Sequence, residues 1–472
     1  MTMHKQLHGL LMCCVSALLL AAAQVTCAGP ALPGDLQSKI DQAVQKVLAD
    51  TGVPSASIAV VRDGKLAYAH AYGNARLDPK TPATPDMRYS IGSISKQFTA
   101  AAILMLQQQG KLSLDDPVAK FFPDLTDAKQ VTLRELLSHT SGYQDYWPQD
   151  YLMPPMKRAT TPRQIMDQWA KKPLDFPPGT KWQYSNTNFV IAGAIVQKLT
   201  GQTPFHFLQA HVFAPLGMEN VYDSDLHALP ATDARGYSRY ALGPLRPSPK
   251  EGAGWMFGAG ELAMTPSNLA RWDIAMIDQN LLQPASWHAM ETETRLADGL
   301  GANYGLGVHV GSLDGHREIS HDGEVMGFTA ANMVFPDDHA AVVVLTNQDA
   351  VSASGVIARK IAQALFEVHD PDEARALARA QEIFAGLQQG KIDRALFTAD
   401  ANSYFDATAL GDYAHSLAPL GKPTGFTQRA ERLRGGMTMR AYTVTFPKTK
   451  LDITTYIQPD GKIEQYLVSP AG

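Results

Sequence analysis

Between Leu36 and Phe366 the strand-like stretches stand at the two ends and the helix-like ones between them, which constrains the fold more than any other feature. Asp35 opens a helix with Leu36, Ile40, Val44, Val47 and Leu48 at helical spacing. Residues 56–61 and 66–72 read as strands joined at Asp63-Gly64, a hairpin turn signal. From about Lys111 to Asn303 the pattern is helical, loop-rich and dense in proline. Strand signals return at 304–310, 316–321, 329–335 and 340–345, with Asp337-Asp338 between the last two and a helix over 354–366. Such a chain makes one sheet from its N- and C-terminal parts and sets the middle apart as a helical subdomain. His369-Asp370-Pro371-Asp372 breaks the pattern and reads as a linker. Beyond it, helical signal at 374–387 and strands at 438–446, 451–457 and 462–468 predict a small α+β module over 372–472. The whole chain is therefore expected to be α+β, with a main domain over 29–369.

Composition mainly excludes. The 472 residues are 45% hydrophobic and 18% charged with net charge −5, an ordinary globular balance that would repel phosphates and argues against nucleic acid. At the N-terminus, His4, Lys5 and His8 precede the apolar run 10–23, and small residues surround Thr26-Cys27-Ala28. This predicts a secretory signal over 1–28, cut after Ala28 or after Ala23, with an uncleaved membrane anchor as the alternative. The expected location is periplasmic or secreted, with no stable membrane span once the signal is gone. Cys13, Cys14 and Cys27 all lie in that segment, so the mature chain would carry no thiol for catalysis or metal binding. Neither His-Glu-x-x-His nor a cysteine cluster is present, so no metal and no cofactor is expected. Absence of Gly-x-Ser-x-Gly argues against an α/β-hydrolase.

Three short motifs carry the chemistry. Ser93-Ile94-Ser95-Lys96 precedes an apolar run at a predicted helix start, putting a hydroxyl near the positive helix end and an amine one turn behind it. Such an amine, held away from water, loses its proton and activates the hydroxyl. Taken alone Ser93 reads more readily as an N-cap than as a nucleophile, and Lys96 has the alternative of a surface lysine, which the apolar run after it disfavours. Tyr184-Ser185-Asn186 follows, then His321-Asp322-Gly323-Glu324. In this order the three motifs resemble the active-site set of the serine β-lactamase and D-Ala-D-Ala carboxypeptidase superfamily. They are most similar to the branch of class C β-lactamases, D-aminopeptidases and family VIII esterases. The resemblance runs from Leu36 to Phe366 and includes Leu136-Leu137-Ser138-His139-Thr140-Ser141-Gly142 and Tyr304-Gly305-Leu306-Gly307.

The resemblance implies an antiparallel sheet flanked by helices, with the active site in a cleft beside a helical lobe. It implies Ser93 as nucleophile, Lys96 as proton acceptor or as holder of the base, and Tyr184 as relay to the leaving group. Which of Lys96 and Tyr184 takes the first proton stays open, since a nearby ammonium favours the phenolate. Asn186 would donate its amide to the acyl side chain's carbonyl, and the backbone N–H groups of Ser93 and Glu324 would hold the oxyanion. Gly323 would let the backbone approach the substrate closely. His321 stands where lysine is usual, as a weaker cation, proton shuttle or donor. His139 reads as a structural histidine.

Asp322 departs from the family pattern, which has Thr or Ser there to bind a substrate carboxylate. A carboxylate in the cleft would repel one, so poor β-lactam hydrolysis is expected. The expectation is an exported serine hydrolase working through an acyl-serine on esters or D-amino-acid peptides and amides. Alternatives are a penicillin-binding-type carboxypeptidase, a β-lactamase, or a receptor that acylates without turnover. The C-terminal domain has no legible role and is a candidate homo-oligomer contact.

Overall fold

The computed structural model describes residues 32–366 and 373–471. The chain separates into two units, 1–366 and 367–472. The expected secretory signal and the expected linker lie outside the described residues.

In the first unit a helix, α1 (Gly34–Thr51), buries Leu36, Ile40, Val44 and Val47 and ends at Gly52 in the left-handed conformation. Two strands, β1 (Ser55–Arg62) and β2 (Lys65–Leu77), form the expected hairpin, and a short β3 (Lys80–Pro82) lies at its edge. After the middle region come β4 (His309–Leu313), β5 (His316–Val325), β6 (Phe328–Phe335) and β7 (Ala340–Thr346). They join the hairpin in one antiparallel seven-stranded sheet of order β3-β2-β1-β7-β6-β5-β4. The pairing of β1 with β7 closes N-terminal onto C-terminal sequence, with Ile58 opposite Val344. Both strands are buried almost throughout, which is why they read as continuous apolar runs rather than alternating ones.

Helix α1 and the final helix of this unit (Ala353–Phe366) cover one face of the sheet. The other face receives a helix over Ser95–Gln108, whose residues 95–106 are all buried. It is buried on every side, its polar residues Ser95, Lys96, Gln97 and Thr99 included, and lies between the sheet and the helical region. A second buried helix, Asn186–Thr200, packs beside it.

Two boundaries differ from expectation. The strand expected at 304–310 begins only at His309, because Gly305 and Gly307 turn the chain: a Cβ on Gly305 would stand 2.1 Å from the Met290 carbonyl oxygen. In contrast β5 runs on past His321 to Val325, carrying Asp322, Gly323 and Glu324 within a strand.

The second unit has helices over Glu373–Leu387, Ala399–Tyr404 and Ala407–Leu417, then a four-stranded antiparallel meander over Gly425–Arg434, Met437–Thr445, Lys450–Ile457 and Ile463–Pro470. Ile383, Phe384, Leu387, Tyr442, Val444, Ile453 and Tyr466 fill its core.

Candidate active site

Ser93 lies in a single 3-10 turn, Gly92–Ile94, that feeds the buried helix beginning at Ser95. Gly92 has φ +51°, and a Cβ there would stand 2.7 Å from the Glu324 nitrogen. The turn is thus pressed against β5. One helical turn on, Lys96 is fully buried, and its Nζ meets three oxygens: Ser93 Oγ at 2.9 Å, Asn186 Oδ1 at 2.9 Å and the Ala259 carbonyl at 2.8 Å. Two of these only accept, so they take N–H bonds. A neutral amine then keeps its lone pair for the Ser93 hydroxyl. Burial pushes Lys96 down to about 7, with Asp145 pulling it partly back.

Asp145 is a residue that the sequence did not single out. It is half-buried and accepts from the backbone N–H groups of Trp147 (3.1 Å) and Asn186 (2.9 Å) and from the Asn186 side-chain amide (3.2 and 3.3 Å). Burial raises its carboxyl, and these donors and Lys96 oppose the rise. Asn186 is thus held from two sides: its side-chain amide donates to Asp145 and its oxygen accepts from Lys96. Only two residues separate Asp145 from Gly142, yet nothing in their spacing links it to Asn186.

Tyr184 stands over Lys96, whose Nζ lies 4.9 Å from the ring centroid. Burial pushes the phenol far above its usual range, the Ser93 hydroxyl offsetting part of this. The expectation that the lysine would favour a phenolate fails because desolvation outweighs a lysine that itself sheds its proton near neutrality. His139 props the tyrosine from behind, ring centroids 4.3 Å apart, and its Nδ1 accepts from the Ser185 N–H at 3.2 Å. This is the structural role expected of it.

His321 is not a cation either. Its Nδ1 donates to the Asp322 carbonyl at 2.6 Å, so its Nε2 accepts from the Tyr304 hydroxyl at 2.9 Å. Burial holds it well below its normal range, with His309 and Lys96 adding to the effect. Both ring nitrogens are occupied, leaving none to shuttle a proton. Tyr304 and His309, at ring-centroid distances of 5.9 and 5.4 Å from His321, complete this wall.

Gly323 is required by a neighbour rather than by substrate: a Cβ would stand 1.9 Å from the Ile91 carbonyl oxygen. That contact and the one at Gly92 press the turn carrying Ser93 against the strand carrying Glu324. Glu324 turns its carboxylate to the Ala350 N–H at 2.7 Å. Asp322 is exposed at the mouth of the same cleft. Burial by the walls raises it, and the Arg359 charge opposes the rise. The cleft measures about 1130 Å³ and brings Ser93, Tyr184, Asn186, His321, Asp322, Gly323 and Glu324 to one surface, with Lys96 directly beneath. Asp145, Asp150, Asp322, Glu324 and Asp349 face it, against Arg359 and Lys360. No cluster of three His, Cys, Asp or Glu side chains among the described residues could hold a metal ion.

The sequence pattern of the beta-lactamase family matches residues 40–366, and the chain belongs to that family. It is 27% identical over 319 residues to penicillin-binding protein 4* of Bacillus subtilis, covering 62% of this chain and 68% of that one. With a D-aminopeptidase of Brucella anthropi it shares 26% over 306 residues, 62% of this chain but only 56% of the relative. The solved D-amino acid amidase of Ochrobactrum anthropi SV3 superposes with TM-score 0.63 at 26% identity, over 71% of this chain and 99% of that one. By family and relatives, the protein is a serine hydrolase of the β-lactamase and DD-peptidase superfamily.

Proposed function

We propose that this is an exported hydrolase that forms an acyl-Ser93 intermediate on amides or esters whose acyl part carries an amine, D-amino-acid derivatives in particular. Lys96, as the neutral amine, takes the Ser93 proton while Oγ bonds the substrate carbonyl carbon. The developing oxyanion lies against the N–H groups of Ser93 and Glu324, each such donor contributing about 3 kcal/mol to the transition state. Tyr184 keeps its proton at neutral pH and gives it to the leaving nitrogen or oxygen as the bond to carbon breaks, and Lys96 returns a proton to the phenolate. Water then attacks the acyl carbon by the same route, handing its proton to Lys96 and releasing acid and Ser93.

The observation that carries the mechanism is the Lys96 environment: two obligate acceptors, one hydroxyl and a titration point near neutrality. Asp322 carries the substrate class. A carboxylate at the cleft mouth, with a neutral His321 beside it, disfavours substrates with an anionic group next to the scissile bond and favours an ammonium. Relatives named D-aminopeptidase and D-amino acid amidase support the same class. Export rests on the expected signal over 1–28.

The test is a panel of D-amino-acid amides, p-nitrophenyl esters and a cephalosporin, assayed on wild type and Ser93→Ala, with intact-mass analysis. Turnover of amides and esters well above the cephalosporin, an adduct on wild type and none on Ser93→Ala are expected. Cephalosporin turnover equal to the best ester would overturn the substrate class, and an active Ser93→Ala the mechanism.

A further inference from the structure

Residues 237–247 form a hairpin that leaves the body of the first unit. Tyr237 pairs with Pro247 and Ser238 with Arg246, and the loop between them turns at Tyr240–Gly243, closed by the Gly243 N–H on the Tyr240 carbonyl at 2.9 Å. At the tip Tyr240 is 84% and Leu242 93% exposed, the two most exposed large apolar side chains among the described residues. From Ala234 to Lys250 the chain carries Arg235, Arg239, Arg246 and Lys250 and no carboxylate, in a protein of net charge −5.

The base of this hairpin is fixed. Tyr237 is buried and its hydroxyl accepts from the Leu77 N–H. The Ser238 hydroxyl donates to Asp349, which also accepts from the Gly327 N–H at 2.7 Å. Gly236 packs on Gly327, where a Cβ would stand 2.6 Å from the Gly236 Cα. Gly327 belongs to the turn between β5 and β6, three residues beyond Glu324, and Asp349 lines the active-site cleft. A rigid stem thus joins the apolar tip to the strand that holds the oxyanion nitrogen.

The geometry points to this hairpin as a wedge that seats the first unit on an anionic lipid surface. Two apolar side chains this exposed lose contact with water by entering another apolar phase. A tyrosine with a leucine beside it suits the headgroup and acyl boundary, where aromatic rings keep a polar end wet. The flanking cations choose the sign of the surface, each adding about five-fold to affinity near an acidic leaflet. An acidic protein would match the charges equally well, but a wedge of two side chains is too small for a stable interface with it or with a second copy of this chain.

Full-length wild type and the double variant Tyr240→Ser/Leu242→Ser are sedimented with vesicles of phosphatidylcholine containing about one-third phosphatidylglycerol, and with phosphatidylcholine alone as the uncharged control; the double variant, unchanged in charge, controls for any other lipid contact of the chain. A second variant, Arg246→Glu, tests the charge, and turnover of a soluble substrate checks the fold of each. Expected is at least ten-fold weaker binding of the double variant at unchanged turnover, an intermediate loss for Arg246→Glu, and release of wild type by about 0.5 M NaCl. Equal binding by wild type and the double variant, or no preference for the acidic vesicles, overturns the proposal. So does a Tyr240- and Leu242-dependent dimer in sedimentation velocity without vesicle binding.

Discussion

The side-chain amide of Asn186 donates to both oxygens of Asp145, at 3.2 and 3.3 Å, while its carbonyl oxygen accepts from Lys96 at 2.9 Å. The asparagine thus transmits a carboxylate's position to the amine that faces Ser93. Charge and burial pull on Lys96 in opposite directions, and among the described residues it is Asp145 that raises its titration point. Asp145→Asn removes the charge and keeps most of the shape. Its acid limb in a profile of kcat/KM against pH should move below the wild-type limb, which is expected near 7. The plateau should fall by about ten-fold, because the new amide cannot accept from Asn186 on both sides. A limb left in place would show that Lys96 does not feel this carboxylate.

Lys96 also predicts a stability signature. An unfolded chain holds an ordinary lysine proton up to 10.5, the folded one only up to about 7. Above 10.5 neither state is protonated and the shift contributes nothing. As pH falls from there to 7, the unfolded chain takes up a proton that the folded one refuses, and folding loses about 1.4 kcal/mol per pH unit. Below 7 both states bind it and the penalty stays constant. Lys96→Met escapes this, so its stability relative to wild type should drop by about 4 kcal/mol between pH ~7 and pH ~10, whatever the lost hydrogen bonds cost. Urea unfolding of the inactive variant and wild type at both values is the measurement. A difference independent of pH would mean that the lysine titrates normally.

Asp322 is the residue to exchange for specificity. Two unit charges about 5 Å apart interact by about 1 kcal/mol in water and more in a cleft. Asp322→Thr should therefore raise kcat/KM for a substrate with a carboxylate beside the scissile bond by at least about five-fold. For an amine-bearing D-amino-acid amide it should fall by a similar factor. Parallel changes in both substrates would point to altered packing of β5 instead of charge.

Much of this was legible in the sequence, for physical reasons that differ by residue. Ser93 and Lys96 are one helical turn apart, so local geometry alone joins them. The β1–β7 pairing was implied because two continuous apolar runs of strand length each need burial on both faces. Asp145 was not legible: its partner lies 41 positions away and no periodicity relates a loop carboxylate to a helix-start asparagine. The charge states of His321 and Tyr184 stayed open in the sequence for one reason, that a residue type carries its solution pKa while burial is set by the tertiary fold. The strand end at Val325 was missed because Asp, Gly and Glu are poor strand formers, and here pairing with Ala331, Ala330 and Thr329 of β6 holds them extended.

Gly323 tests whether the two backbone nitrogens form a working pair. A Cβ at this position would lie 1.9 Å from the Ile91 oxygen, a backbone atom with no flexible end to swing away. Either β5 or the turn bearing Ser93 must retreat by more than 1 Å, and the Ser93 and Glu324 nitrogens separate with it. Gly323→Ala should lower kcat by 10²- to 10³-fold, the range for losing one oxyanion donor, with KM changed far less. Strain at the contact should lower stability by about 1–3 kcal/mol. Gly315→Ala, in the open turn between β4 and β5 where a Cβ would meet nothing within 4 Å, provides the control for a merely destabilised sheet. Its φ of +91° costs stability of the same order while leaving kcat at the wild-type level. A Gly323→Ala enzyme that turned over as fast as this control would show that the oxyanion is held elsewhere.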